Sequence, residues 1–119
     1  MIPNKERHQM TMEKLKLRVT IDRPIGFKDD YGNTYPINYG FVPGVIAGDG
    51  EEQDVYIISK NATTPLDIFE GILVAVIRRK NDTEDKWVVT SKNELLSKQE
   101  ISEKTRFIEQ YFDSVIEIL

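Results

Sequence analysis

Tyr35-Pro36-Ile37-Asn38-Tyr39-Gly40-Phe41-Val42-Pro43 is followed, after a short apolar link, by Gly48-Asp49-Gly50-Glu51-Glu52-Gln53-Asp54. From Tyr35 to Asp54 the chain holds two tyrosines, two prolines, four glycines and four carboxylates. Proline fixes φ and removes a donor, while glycine admits φ > 0 and close backbone approach. The stretch is therefore not one regular helix or strand; it reads as a turn or a site. Four carboxylates at 49, 51, 52 and 54 argue for a site that takes hard cations. Asp49, Glu51 and Asp54 can converge from a tight turn and the start of a strand, and Mg²⁺ or Mn²⁺ take oxygen ligands of this kind. The plain rival is a solvated acidic hairpin tip, which is ordinary surface. The spacing is not that of a calcium loop, which alternates its ligands over a longer run.

Outward from this stretch the chain reads as short strands and one late helix. Leu15, Leu17, Val19 and Ile21 alternate with Lys16, Arg18, Thr20 and Asp22, the period of a half-buried strand. Pro24 and Gly26 end it, with Asp22 on its polar face. Phe27 to Thr34 is a polar turn. Asp54 opens the β-branched run Val55–Ile58, a buried strand, and Ser59 to Pro65 is a loop. Gly71–Ile77 is the most apolar run and predicts a strand buried on both faces. The turn Asn81–Asp85 then leads into the strand Lys86–Thr90, making a hairpin with a charged tip. Ser97-x-x-Glu100 is a capping box, so a helix begins near Lys98. Ile101, Thr105, Ile108 and Phe112 line one of its faces. It ends near Phe112, and Val115 to Leu119 returns as a short strand. The pattern predicts a mainly β, α+β fold: a small barrel with a C-terminal helix packed on it.

Composition narrows the function. At 119 residues the chain is one domain. Residues 1–13 are polar without period and read as a flexible leader; 14–119 read as the domain. The net charge of −4 gives no reason to expect nucleic acid, and an acidic protein that handles phosphate needs metal ions to bridge the charge. There is no cysteine, so no disulfide, zinc-thiolate site or cysteine nucleophile. The single histidine, His8, lies in the leader, which argues against a histidine-based triad. With no apolar run of transmembrane length and no apolar signal core, the expectation is a cytoplasmic protein without a membrane partner.

The two motifs, in this order and spacing, resemble the core of the soluble family I inorganic pyrophosphatases, which carry a YPxNYGxxP run followed by DxDPxD. The resemblance runs roughly from Val19 to Val89 and is strongest from Tyr35 to Val55. It implies a five-stranded, OB-like barrel that hydrolyses pyrophosphate with Mg²⁺ or Mn²⁺ in a two-metal site. On that resemblance Asp49 and Asp54 are metal ligands, with Asp54 bridging the ions. Glu51 stands where the family has the aspartate given the general-base role, one methylene longer. A third metal carboxylate comes from the 84–85 turn, where Glu84 keeps the spacing to Lys86 and Asp85 keeps the residue type. Asp22 is the candidate for a site glutamate that ends the first strand. Lys86 matches a phosphate-contacting lysine, Tyr39 a tyrosine near the nucleophile, Tyr35 one that supports the site, and Tyr111 a phosphate ligand. Bacterial members form closed homo-oligomers, so self-association is implied as well.

The chain also departs from that pattern. The family's Lys-x-Glu hairpin is missing near Phe27–Thr34. The acidic pair that helps hold substrate-borne metal aligns near Arg78-Arg79-Lys80, and the lysine after the late tyrosine is Phe112. Arg78 and Arg79 are candidate phosphate clamps in its stead. Two alternatives follow from these losses. One is a phosphohydrolase with another phosphoanhydride or ester substrate. The other is a non-catalytic barrel module that binds a metal-phosphate ligand or a protein partner.

Overall fold

Period-two alternation builds most of the architecture. The computed structural model describes residues 15–119, and the leader read at 1–13 lies outside them. In chain order the elements are β1 Lys16–Arg23, β2 Tyr39–Ile46, β3 Glu52–Ile57, β4 Ile68–Arg79, β5 Lys86–Thr90, α1 Lys98–Glu109 and β6 Ser114–Ile118. The sheet order is β1-β2-β3-β5-β4-β6, and an added β1–β4 pairing closes the first five into the expected barrel. All pairs are antiparallel except β3 with β5. Closure depends on the length of β4. Its first residues, Ile68 to Ile72, pair with β1; further along the same edge, Ala75 to Arg79 take up β6.

Alternation also sorts two cores. Val19, Ile21, Val42, Val55, Ile57, Phe69 and Val89 come from all five strands and fill the barrel. Tyr39, Tyr56, Ile58, Ala75, Ile77 and Val88 point the other way and meet Ile101 of α1. This is why Val55–Ile58 and the centre of β4 read as apolar on both faces. Lys86–Thr90 is found with the expected bounds.

Two expectations change. Tyr39 to Ile46 is a strand, although its Pro43 and Gly44 argued against one. A bulge absorbs them: the pairing jumps from Val42↔Gln53 to Ile46↔Glu52, and Gly44 takes φ +83°. A Cβ on Gly40 would strike the Thr20 carbonyl, so glycine permits the β1–β2 approach. The helix is capped as predicted, Glu100 N donating to Ser97 Oγ at 3.1 Å. Its regular part, however, stops at Glu109, three residues short of Phe112. The chain tightens there through Tyr111 N to Ile108 O and Phe112 N to Glu109 O. Among the described residues no helix is long and apolar enough to cross a membrane.

Candidate active site

The C-terminal helix, the 27–35 turn and the ends of β1, β2, β4 and β5 enclose a cleft of about 600 Å³. Arg23, Arg79 and Lys86 line it, together with Tyr35, Tyr39 and Tyr111. Each cation is held differently. Arg23, at the end of β1, donates from Nη1 to Tyr35 Oη at 2.6 Å. Its guanidinium lies 5.4–5.8 Å from the ring centres of Phe27, Tyr35 and Tyr39. Tyr35 is thus both a packed edge-to-face ring and a hydroxyl acceptor.

Lys86 opens β5 and is only 5% exposed. Its Nζ donates to Tyr39 Oη at 2.8 Å and Asp54 Oδ2 at 2.7 Å, and stands 3.0 Å from Glu84 Oε2. A buried ammonium is tolerated only with such partners. Around it the carboxylates act on one another. Burial raises the Glu84 carboxyl above its ordinary range; the charges of Asp54 and Asp49 add to the shift, against the pull of Lys86. Asp22 is raised by desolvation and by the Asp54 charge, against Arg23 and a backbone hydrogen bond. Burial, then the Asp54 charge, pushes the Tyr39 phenol well above its usual value, so it keeps its proton.

Asp49 and Glu51 form the tip between β2 and β3. Glu51 is exposed, and its N–H donates to Asp49 Oδ1 at 3.0 Å. Gly48 lets this tip approach the neighbouring turn: a Cβ there would lie 2.5 Å from the Thr83 carbonyl oxygen. That approach is how the Asp49 charge reaches Glu84.

Arg79 is the third cation, with its side chain 4% exposed. Nη2 and Nε donate to Glu109 Oε2 and Oε1 at 2.6 and 3.2 Å. Tyr56 Oη donates to the same Glu109 Oε2 at 2.6 Å. The guanidinium carbon sits 3.7 Å from the centre of the Phe112 ring. Nη1 has only longer contacts, to Asp82 Oδ2 at 3.4 Å and Glu84 Oε1 at 4.0 Å. Burial opposes the Arg79 charge, but Glu109 outweighs it and raises the group further above its ordinary value.

Of the residues singled out in the sequence, Tyr39, Asp54, Glu84 and Lys86 meet directly. Tyr35 and Arg79 line the cleft, and Tyr111 stands at its exposed rim, 3.5 Å from Asn33 Oδ1. Asp22 and Asp49 join through charge rather than contact. Arg78 and Asp85 do not join. They pair with each other at 2.9 Å, and Arg78 also pairs with Glu117 of β6 at 2.6 Å. The strand alternation that turns Arg79, Glu84 and Lys86 inward turns these two outward. Glu109 was missed. Its signal was a carboxylate one turn beyond Thr105 on the buried helix face, where only a paired acid is tolerated. Asn38, fully buried, was quoted in the motif without a role. Its Oδ1 accepts from Ile25 N at 3.0 Å and Leu66 N at 3.3 Å, and its Nδ2 donates to Ala62 O at 3.3 Å and Thr64 O at 3.0 Å.

The donors suit a hard divalent cation in kind, since all are carboxylates whose charges already strain against one another. Among the described residues, however, no three lie close enough to enclose an ion as placed. Lys86 stands between Asp54 and Glu84 and holds both.

The class the structure defines is a closed five-stranded barrel with a C-terminal helix, in which a group of carboxylates stands beside a cleft lined by cations. The chain matches the family model of inorganic pyrophosphatase over residues 1–117 and belongs to that family. It is 40% identical over 48 residues to an inorganic pyrophosphatase of Aeropyrum pernix, a match covering 40% of this chain and 27% of that one. Inorganic pyrophosphatase 1 of Pseudomonas syringae pv. tomato is 30% identical over 71 residues, 57% of this chain and 41% of that one. The matched stretches thus span well under half of these relatives. The fold is similar to the crystal structure of inorganic pyrophosphatase from Ehrlichia chaffeensis, with a TM-score of 0.63 and 18% identity over 83% of this chain and 82% of that one. The Helicobacter pylori inorganic pyrophosphatase gives 0.59 and 20%, over 87% and 82%.

Proposed function

We propose that this chain hydrolyses inorganic pyrophosphate to phosphate with the help of Mg²⁺ or Mn²⁺. The observation that carries this reading is Lys86, buried at the seam between Asp54 and Glu84 on one side and the cationic cleft on the other. Hydrolysis of a diphosphate brings a negative nucleophile to an anion, so catalysis is mostly positioning and charge compensation. Asp49, Asp54, Glu84 and Asp22 are the residues that would hold the metal, after side-chain rearrangement around Lys86. When bound, divalent ions neutralise phosphate oxygens and acidify water.

The remaining roles belong to the protein. Lys86 Nζ and the Tyr39 hydroxyl hold a phosphate oxygen at the seam, and Tyr39 is a donor because it keeps its proton. Glu51 accepts a proton from the attacking water. Arg79, Tyr35 and Tyr111 bind the rest of the substrate. Arg78 and Asp85 are left out of this set, because their mutual pair faces away. The same reading makes the protein a cytoplasmic homo-oligomer with neither nucleic acid nor membrane as partner.

The test is phosphate release from pyrophosphate with Mg²⁺, with Mn²⁺ and with chelator, beside nucleotides and phosphate esters. We expect metal-dependent release from pyrophosphate, lowered about a hundredfold or more in Asp54→Asn, the scale of losing a group that stabilises transition-state charge. Unchanged turnover in that variant would remove Asp54 from the site. Silence across the panel, from folded and metal-binding protein, would favour a binding module.

A further inference from the structure

We propose that Lys86 is a place-holder for the metal: its ammonium stands between Asp54 and Glu84 until a divalent cation displaces it into the cleft, where it meets phosphate. This rests on the metal-assisted reading above and adds to it which group must move first. Nζ lies 2.7 Å from Asp54 Oδ2 and 3.0 Å from Glu84 Oε2, and it donates to Tyr39 Oη at 2.8 Å. An ammonium has three N–H bonds and no more. All three have partners inside the protein, so Lys86 reaches a phosphate oxygen only by letting go of a carboxylate. The metal meets the converse obstacle. Mg²⁺ draws carboxylate oxygens to about 2.0–2.1 Å, so an ion shared by Asp54 and Glu84 needs the place that the ammonium holds. Two cations on the same pair of oxygens also repel each other.

Of the cations at the cleft, Lys86 is the one able to leave. Glu109 grips Arg79 through Nε and Nη2, Asp82 takes Nη1, and Phe112 covers one face of the guanidinium. Lys86 instead carries a compact charge on a flexible four-carbon stem, and it already lines the cleft. Its backbone is fixed in β5 opposite Ile77. A swing of the stem alone therefore takes Nζ from the carboxylates to the cleft. Until then the same contacts keep a buried ammonium and two acids compensated in the metal-free protein. The exchange couples the two halves of the site. A metal ion that takes the carboxylates releases the cation that phosphate needs, and by linkage phosphate that takes Lys86 favours the metal.

The experiment is pulse labelling of the full chain with acetic anhydride, read at Lys86 by peptide mass spectrometry. It is run in chelator and with Mg²⁺ at a concentration that calorimetry shows to be saturating. Lys60 and Lys104, exposed and lining a separate pocket, give the reference rate. Mg²⁺ should speed labelling of Lys86 at least about fivefold over these references, the lower end of ordinary coupling between sites. Lys86→Met removes the place-holder and should bind Mg²⁺ at least about tenfold more tightly, since the ion no longer has a cation to displace. Labelling that Mg²⁺ leaves unchanged or slows would overturn the proposal, and this comparison needs no variant to fold. Equal or weaker Mg²⁺ affinity in the folded variant would overturn it too. Neither measurement uses turnover. A chain that takes up Mg²⁺ without releasing Lys86 loses this proposal and keeps the hydrolytic reading; one that takes up neither Mg²⁺ nor Mn²⁺ loses both.

Discussion

Asn38 shows how much one side chain can hold. Its amide is fully buried and makes four hydrogen bonds, to the backbone at residues 25, 62, 64 and 66. It ties the chain after β1 to the loop before β4, at the residue just before Tyr39. Asn38→Ala leaves those backbone groups short of partners. It should cost roughly 2–4 kcal/mol, the scale of several buried groups left unsatisfied. A urea titration checks this: the midpoint should fall while the slope stays the same. A loss below about 0.5 kcal/mol would mean that water replaces the amide fully. The residue stood in the sequence motif, but its role did not, since its partners lie 13 to 28 positions away. The same holds for Glu109, whose partners Arg79 and Tyr56 are 30 and 53 positions distant. Local spacing identifies residues that share a face; it is silent on which faces the topology will oppose.

At the scale of elements, the site depends on two turns touching. The β2–β3 tip carries Asp49, and the β4–β5 hairpin carries Glu84 ahead of Lys86. Gly48 is the contact, lying against the Thr83 carbonyl with no room for a Cβ. Gly48→Ala should push the tip away and carry Asp49 with it. If these carboxylates share a metal, its affinity should weaken by about tenfold, the lower end of what is lost when support around a metal site is disturbed. Metal titration followed by calorimetry is the check; unchanged affinity would take Asp49 out of the donor set. Most of the elements were legible. The period-two run at Leu15–Ile21, the double-faced apolar run in β4, the Lys86–Thr90 strand and the Ser97 cap each follow from a local rule that tertiary packing did not override. β2 was not, because Pro43 and Gly44 speak against a strand unless a bulge takes them in. The choice between Glu84 and Asp85 stayed open for a related reason. Glu84 is set toward Lys86 and Asp85 toward Arg78 only once the hairpin fixes which of Arg78 and Arg79 faces inward.

For the whole molecule, the gathering of acid around Lys86 links folding, protons and metal. Asp22 and Glu84 have carboxyls raised in the folded state, by burial first and then by the Asp54 charge. The folded chain therefore holds those protons more tightly than the unfolded one. Their ionisation costs stability above the raised values, and the cost is relieved as pH falls through them. Asp82 and Glu94 behave oppositely. Burial works against their charges, but hydrogen bonds outweigh it and hold their carboxyls low. The stability they supply is present above the ordinary carboxylate range and is lost as pH falls through the lowered values. A divalent cation at the cluster competes with protons on the carboxylates that hold it, Asp22 and Glu84 among them, and not with those on Asp82 and Glu94. At a hundred times its Kd, Mg²⁺ should add about 2.7 kcal/mol to the folded state, roughly 10 °C in Tm for a chain of this size. The increment should be full near neutrality and shrink as pH falls through the raised values of Glu84 and Asp22, before Asp82 and Glu94 begin to protonate. Thermal melts with and without Mg²⁺ across a pH series will show this. Glu84→Gln should flatten the pH dependence of the increment, because it removes one of the competing protons whose carboxyl is raised. An increment that stays constant down to the acid transition would place the bound ion away from these carboxylates, and with it the metal half of the proposed site.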